Sequence, residues 1–149
     1  MAIVVTGNCS QYFDVAGNHL NFRIEPPYEF TKLDCVWTIK APEDRSIIAT
    51  FENFQVEATE NCNVASIALF DGANTTSTKI GEKICGNTLP DDETSTENNL
   101  LVHFQYNSAA QAQLNTVLEF DFQYKTTGKI HLFRELKQIP RIYCKIISI

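Results

Sequence analysis

Cys35-Val36-Trp37-Thr38-Ile39 places a cysteine, an indole and an isoleucine at alternate positions. Val36, Thr38 and Lys40 fall between them. Side chains of a strand alternate between its two faces, so period two is the signature of a half-buried strand. The face carrying Cys35, Trp37, Ile39 and Ala41 is expected to enter a core. Trp37 is the sole tryptophan of the chain, and burying it supplies a large apolar area at one point. A cysteine on that face predicts a covalent tie to another part of the chain.

Outward from this strand, the same alternation recurs. Leu20, Phe22 and Ile24 precede it, and Gly17-Asn18 predicts a turn before them. Pro26-Pro27-Tyr28 breaks regular structure, because proline donates no ladder hydrogen bond. Pro42-Glu43-Asp44 closes the central strand as a turn. Ile47, Ala49 and Phe51 alternate, then the phase slips to Phe54 and Val56, as a β-bulge or a bend produces. Ser66 to Phe70 reads as a short strand ended by the hairpin-turn pair Asp71-Gly72. Ile80 to Cys85 reads as another, and residues 89–99 as a long acidic loop. The clearest strands come last: Leu100, Val102, Phe104 and Tyr106, then Leu118, Phe120, Phe122 and Tyr124. Short strands separated by turn chemistry, with no convincing helix before residue 125, predict an all-β fold. The long connections favour a two-sheet antiparallel β-sandwich over a barrel.

The chain has 149 residues, 44% hydrophobic and 20% charged, the composition of one globular domain. No apolar run approaches the ~20 residues of a membrane-spanning helix. The first residues, Met1 to Gly7, lack the basic leader and apolar length of a signal peptide. That leaves a removed or replaced leader, a piece of a longer chain, or a cytosolic protein. The cysteines argue against the last. Cys9, Cys35, Cys62, Cys85 and Cys144 contain no Cys-x-x-Cys pair, which argues against a zinc knuckle or thioredoxin-type site. The first four are widely spaced, which suits disulfides between distant strands, and four cysteines allow three pairings. Asn74-Thr75-Thr76 is an acceptor triplet for N-glycosylation, as a secreted protein would carry. Asn8-Cys9-Ser10 also matches, but a disulfide at Cys9 would hinder it.

The net charge of −6 is unevenly spread. Residues 125–149 carry six basic groups and one acid, and the remainder six basic and seventeen acidic groups. An acidic body argues against a nucleic-acid partner. It suits an extracellular module that meets basic surfaces or cations, and a merely solvated acidic surface equally well.

Taken in order, the residues resemble the CUB domain family, an extracellular β-sandwich of jelly-roll type. The resemblance runs from Cys9 to Tyr124. It rests on Tyr28, Leu33-Asp34-Cys35-Val36-Trp37-Thr38-Ile39, Phe51-Glu52-Asn53-Phe54-Gln55-Val56-Glu57 and Cys62. Phe70-Asp71-Gly72, Ile84-Cys85-Gly86, Leu89-Pro90 and Asn99-Leu100-Leu101-Val102-His103-Phe104 complete it. Ser10-Gln11 stands where the family usually has two glycines. The resemblance implies disulfides Cys9–Cys35 and Cys62–Cys85, each stabilising the fold by roughly 3.5 kcal/mol in the loop-entropy model. It leaves Cys144 without a partner. The domain is then residues 9–124, with an N-terminal extension 1–8 and a basic tail or linker 125–149.

Many members of that family hold calcium through three acidic loop positions. By resemblance these fall on Glu57, Ala65 and Asn107. Calcium takes 6–8 oxygen ligands, and charged ones set its affinity. Alanine offers no side-chain oxygen and asparagine no charge, so this degenerate set implies no calcium and no other cofactor. Hydrogen bonds from Asn107, Ser108 and Asn63 are the alternative fastening of this loop end.

Enzyme readings find little to stand on. His19, His103 and His131 are scattered, without a His-Glu-x-x-His metal pattern or a Gly-x-Ser-x-Gly nucleophile turn. Asp91-Asp92-Glu93 reads better as a solvated turn than as an acid–base pair. Six unclustered glycines make no phosphate loop. In the tail, Ile130, Phe133, Leu136 and Ile139 recur at helical spacing up to Pro140. A linker or non-native sequence from a misread gene end is favoured there over a membrane-surface helix, since about three turns are marginal alone. The expectation is a non-catalytic extracellular module binding protein or glycan, in a modular secreted or membrane-anchored protein, with no membrane insertion. The alternative is a regulatory domain of a secreted protease whose catalytic domain lies outside this chain.

Overall fold

A computed structural model describes residues 2–3, 9–26, 32–107 and 116–127. Among the described residues there are ten strands: β1 (Ala2–Ile3), β2 (Gln11–Asp14), β3 (His19–Ile24), β4 (Lys32–Lys40), β5 (Ile47–Gln55), β6 (Ala65–Asp71), β7 (Thr78–Ile84), β8 (Glu93–Thr94), β9 (Asn99–Asn107) and β10 (Leu118–Thr126). They form two five-stranded sheets, ordered β1-β3-β10-β5-β8 and β2-β4-β9-β6-β7. The only helical pieces among the described residues are two 3-10 turns, Val15–Gly17 and Glu60–Cys62.

The alternation in the sequence is the alternation of burial. Leu33, Cys35, Trp37 and Ile39 of β4 are buried. So are Leu100, Val102, Phe104 and Tyr106 of β9, and Leu118, Phe120, Phe122 and Tyr124 of β10. Trp37 meets Phe22 edge-on at 5.3 Å between ring centroids and Phe120 at 5.6 Å. Phe22 in turn stacks on Phe120 at 5.0 Å. Phe120 was foreseeable as an aromatic of the closing strand; Phe22 brings β3 into the same cluster.

The phase slip in β5 is a bulge. Asp121 of β10 opposes Asn53, but Phe122 opposes Phe51, so Glu52 is the extra residue. The turn near Gly17 is a 3-10 turn. Asp14 accepts a hydrogen bond from the Ala16 amide, and Asn18 ends the turn in the left-handed region at φ 52°. Asparagine tolerates that conformation better than most non-glycine residues.

Four features depart from expectation. The sheets are not wholly antiparallel, because β1 pairs parallel with β3 and β2 parallel with β4. Both parallel pairs use N-terminal strands laid along an edge, where period two is blind to strand direction. The loop of residues 89–99 contains β8, which pairs with Ile48 and Ala49. The buried Ser95 fastens that loop: its hydroxyl accepts from the Ile47 amide at 2.8 Å and donates to the Glu97 carbonyl. Leu101, placed by alternation on the outer face, is 1% exposed and clusters with Ala68, Phe70 and Val36. Finally, β10 runs to Thr126, two residues beyond the limit read from the aromatic pattern. Lys125 and Thr126 pair with Ile48 and Ile47 through backbone, which side-chain type does not reveal. The sequence readings at Tyr28, Ser108, His131 and Cys144, and along the helical-period tail, lie outside the described residues.

Both disulfides fasten the second sheet. Cys9, just before the edge strand β2, is bonded to Cys35 in β4. Cys62, just before β6, is bonded to Cys85, just after β7. Each therefore pins one edge of the same sheet, rather than one sheet to the other.

Candidate functional site

The loop end that carries Glu57, Ala65 and Asn107 is built by the second disulfide and two backbone fastenings. Val56 and Gly86 form an isolated antiparallel bridge as the chain leaves β5. The 3-10 turn that follows puts Asn61 at φ 54° and Cys62 at φ 51°. Left-handed backbone at a non-glycine residue costs of order 1–3 kcal/mol. The disulfide at Cys62 helps hold it. The Asn107 amide donates to the Val64 carbonyl at 2.8 Å, which closes the end of β9 onto the start of β6.

The three positions differ in setting. Ala65 is 0% exposed, on β6 opposite Tyr106. Asn107 is one residue further along β9, on a depression of about 500 Å³ that Lys32, Asp34, Asn63 and Lys83 also border. Glu57 borders a different depression, of about 690 Å³, with Asn53, Gln55 and Asn87. Its Oε2 accepts the Thr116 hydroxyl at 2.8 Å. One carboxylate already bonded to a hydroxyl, one amide and one buried methyl do not fit a calcium ion.

The remaining sequence candidates are dispersed. Asn74 is exposed, and its side-chain carbonyl accepts from the Thr76 amide at 3.1 Å and from the Thr76 hydroxyl. Asp91 and Asp92 are exposed, whereas Glu93 belongs to β8. His103 is largely covered, 2.6 Å from Asp34 Oδ1 and tilted against Phe70. Asp34 faces Gln105 in the β4–β9 register and reaches His103 diagonally. Cross-strand diagonals of this kind are within reach of long side chains.

The fold brings together one group that sequence reasoning left scattered. His19, Glu52 and Asp121 offer ligand atoms that all lie within 4.8 Å of one another on the first sheet. The positions are 33 and 69 residues apart in sequence, so no local pattern marks them. The phase slip at Phe51–Phe54 was the one legible hint, because a bulge re-aims its extra side chain.

Comparison with known proteins names the class of this two-sheet sandwich with its disulfide pair. The CUB domain family matches residues 9–116, and the chain belongs to that family. It is 39% identical to rat cubilin over 72 residues, which is 48% of this chain and 2% of cubilin. It is 34% identical to human procollagen C-endopeptidase enhancer 1 over 94 residues, 63% of this chain and 20% of that protein. The chain thus spans a small part of these relatives. Among solved structures, the calcium-bound MASP-1 CUB2 domain superposes with a TM-score of 0.53 at 19% identity, covering 81% of this chain and 99% of that one. That likeness concerns the fold. The CUB domain, which accounts for residues 9–116, is a non-catalytic module.

Proposed function

We propose that the chain is an extracellular binding module for a protein or glycan ligand, set within a modular secreted or membrane-anchored protein. The observation that carries this reading is the use of the aromatic and aliphatic side chains in the core, with charged side chains left around the depression at the β4–β9–β6 end. Lys32 and Lys83 border it in a chain of net charge −6. A cationic rim on an acidic body favours acidic ligand groups. The test is surface plasmon resonance of the full chain against panels of extracellular proteins and glycans, with Lys32→Glu/Lys83→Glu as comparison. Saturable binding weakened at least about tenfold by the charge reversal is the expected result. Binding indifferent to the reversal overturns the assignment of this end.

The same reading makes binding independent of calcium. Millimolar calcium should leave the melting temperature unchanged. A ligand at a hundred times its dissociation constant would add about 2.7 kcal/mol, a shift of several degrees. If the calcium-binding geometry of the family is present at this loop end, the double variant Ala65→Asp/Asn107→Asp should gain a calcium-dependent rise, through two added carboxylates. An EDTA-reversible rise in the unaltered chain would show that other oxygens complete the site.

We also propose that the module runs from residue 9 to Thr126, the end of β10, rather than to Tyr124, with the extension 1–8 contributing edge strand β1, a linker in the residues after Thr126, and a glycan on Asn74. Asn74 is exposed on a loop tip, which suits an acceptor. A mass shift on enzymatic deglycosylation, absent from Asn74→Gln, is the expected sign. The alternative parent is a secreted protease with this domain in a regulatory part. The name of the human enhancer links one relative to an endopeptidase. The full-length coding sequence separates the two readings, since a protease domain downstream selects the second.

A further inference from the structure

We propose that His19, Glu52 and Asp121 form a binding site for a divalent transition-metal ion of the zinc class, on the outer face of the first sheet and distinct from the loop end described above. The three side chains come from β3, β5 and β10, which lie side by side with β10 in the middle. His19 opposes Gln123 in the register, so it reaches Asp121 diagonally across the β3–β10 pair. Glu52 is the bulge residue of β5 beside Asp121 and Phe122. Alternation turns Glu52 away from the buried Phe51 onto the outer face, and the bulge leaves both Glu52 and Asn53 exposed there beside Asp121.

The distances suit an ion. His19 Nε2 is 3.4 Å from Glu52 Oε2 and 2.5 Å from Asp121 Oδ1. Two ligands at zinc bond lengths of about 2.1 Å in a tetrahedral shell stand roughly 3.4 Å apart. The His19–Glu52 pair has that separation, and a small rotation of Asp121 would give it to the second pair. Asp121 Oδ1 is buried, and His19 Nε2 stands within ion-pair distance of it. Burying a carboxylate oxygen is costly, and a divalent cation held between the two groups offsets that cost more fully than the imidazole alone.

The electrostatics agree. Two carboxylates and a neutral imidazole give the cluster a charge of −2. Arg23, two residues on from Asn21 along β3, is held by Glu25 at 2.6 Å and Glu119 at 2.9 Å. Lys125 stands four residues from Asp121, about 13 Å along an extended strand. One imidazole nitrogen with carboxylate oxygens suits zinc and its neighbours, whereas calcium prefers oxygen alone. His19 and Glu52 are a third or more exposed, so an ion can enter and keep a position for water or for a partner's side chain.

The test is isothermal titration of the full chain, freed of metal with a chelator, using zinc chloride and, separately, calcium chloride. One zinc ion per chain at micromolar affinity, with no calcium heat at that site, is expected. Affinity should fall at least about tenfold in His19→Gln and in Asp121→Asn, since even loss of an outer-shell partner costs 10–100-fold. His103→Gln, which removes the histidine of the second sheet, should leave it unchanged. Nitrogen-15 spectra of the histidines provide a readout on the unaltered protein: the His19 ring nitrogens should shift on zinc addition and those of His103 should not. Absence of saturable zinc binding, or binding of full strength in His19→Gln with the His19 resonances unmoved, overturns the proposal.

Discussion

Trp37→Ala is expected to destabilise the protein by about 3–5 kcal/mol, as large aromatic truncations in cores do. The indole is 0% exposed and sits at the meeting of three strands, against Phe22 and Phe120. Its removal leaves a cavity that paired strands cannot close, because β4 is held in register by β9 along its whole length. Domains are marginally stable, by 5–15 kcal/mol, so this one change removes a large share. Trp37→Phe provides the contrast. Trp37 Nε1 is buried without a hydrogen-bond partner, so exchanging indole for phenyl loses area but also removes an unsatisfied donor. Its cost should be well under half that of alanine. Urea unfolding followed by circular dichroism measures both. Equal costs would mean that the indole nitrogen is satisfied in solution and that volume alone does not rank the variants.

Removing the disulfides is the second large effect. Loop closure alone predicts roughly 3.5 kcal/mol for each, since the sequence separations of 26 and 23 are nearly equal. Their surroundings are not equal. Cys9 and Cys35 are 2% and 0% exposed and belong to the main core, whereas Cys62 and Cys85 are only partly buried. Cys9→Ala/Cys35→Ala therefore adds lost packing to lost constraint, and should cost about 1 kcal/mol or more beyond Cys62→Ala/Cys85→Ala. Exposure should also order their chemistry. Mild reductant in the native state should open Cys62–Cys85 before Cys9–Cys35, visible as alkylation of Cys62 and Cys85 first. Alkylation of Cys9 and Cys35 at equal speed would show that the first edge opens as readily as the second. The loss should have a local signature too: freeing Cys62 releases the left-handed turn at Asn61, so hydrogen exchange should rise there and at Val64.

The core was legible because burial on a strand has one simple period. Cys35, Trp37 and Ile39 had to share a face whatever their partners, and so did Phe120, Phe122 and Tyr124. Ordered motifs between Cys9 and Tyr124 then pointed to the family and the disulfide pairing. Tertiary structure decided what depends on pairing between distant segments. It set the parallel edges at β1 and β2, which alternation cannot distinguish from antiparallel ones. It placed Leu101 under cover on a face that alternation assigns to solvent, because Ala68 and Phe70 lie beside it on β6. It carried β10 on to Thr126 through backbone hydrogen bonds that ignore residue type. It also gathered His19, Glu52 and Asp121, whose proximity rests on the β3-β10-β5 order and register. The physical reason is common to all four: side-chain periodicity is local, whereas sheet order and register are set by non-local backbone pairing.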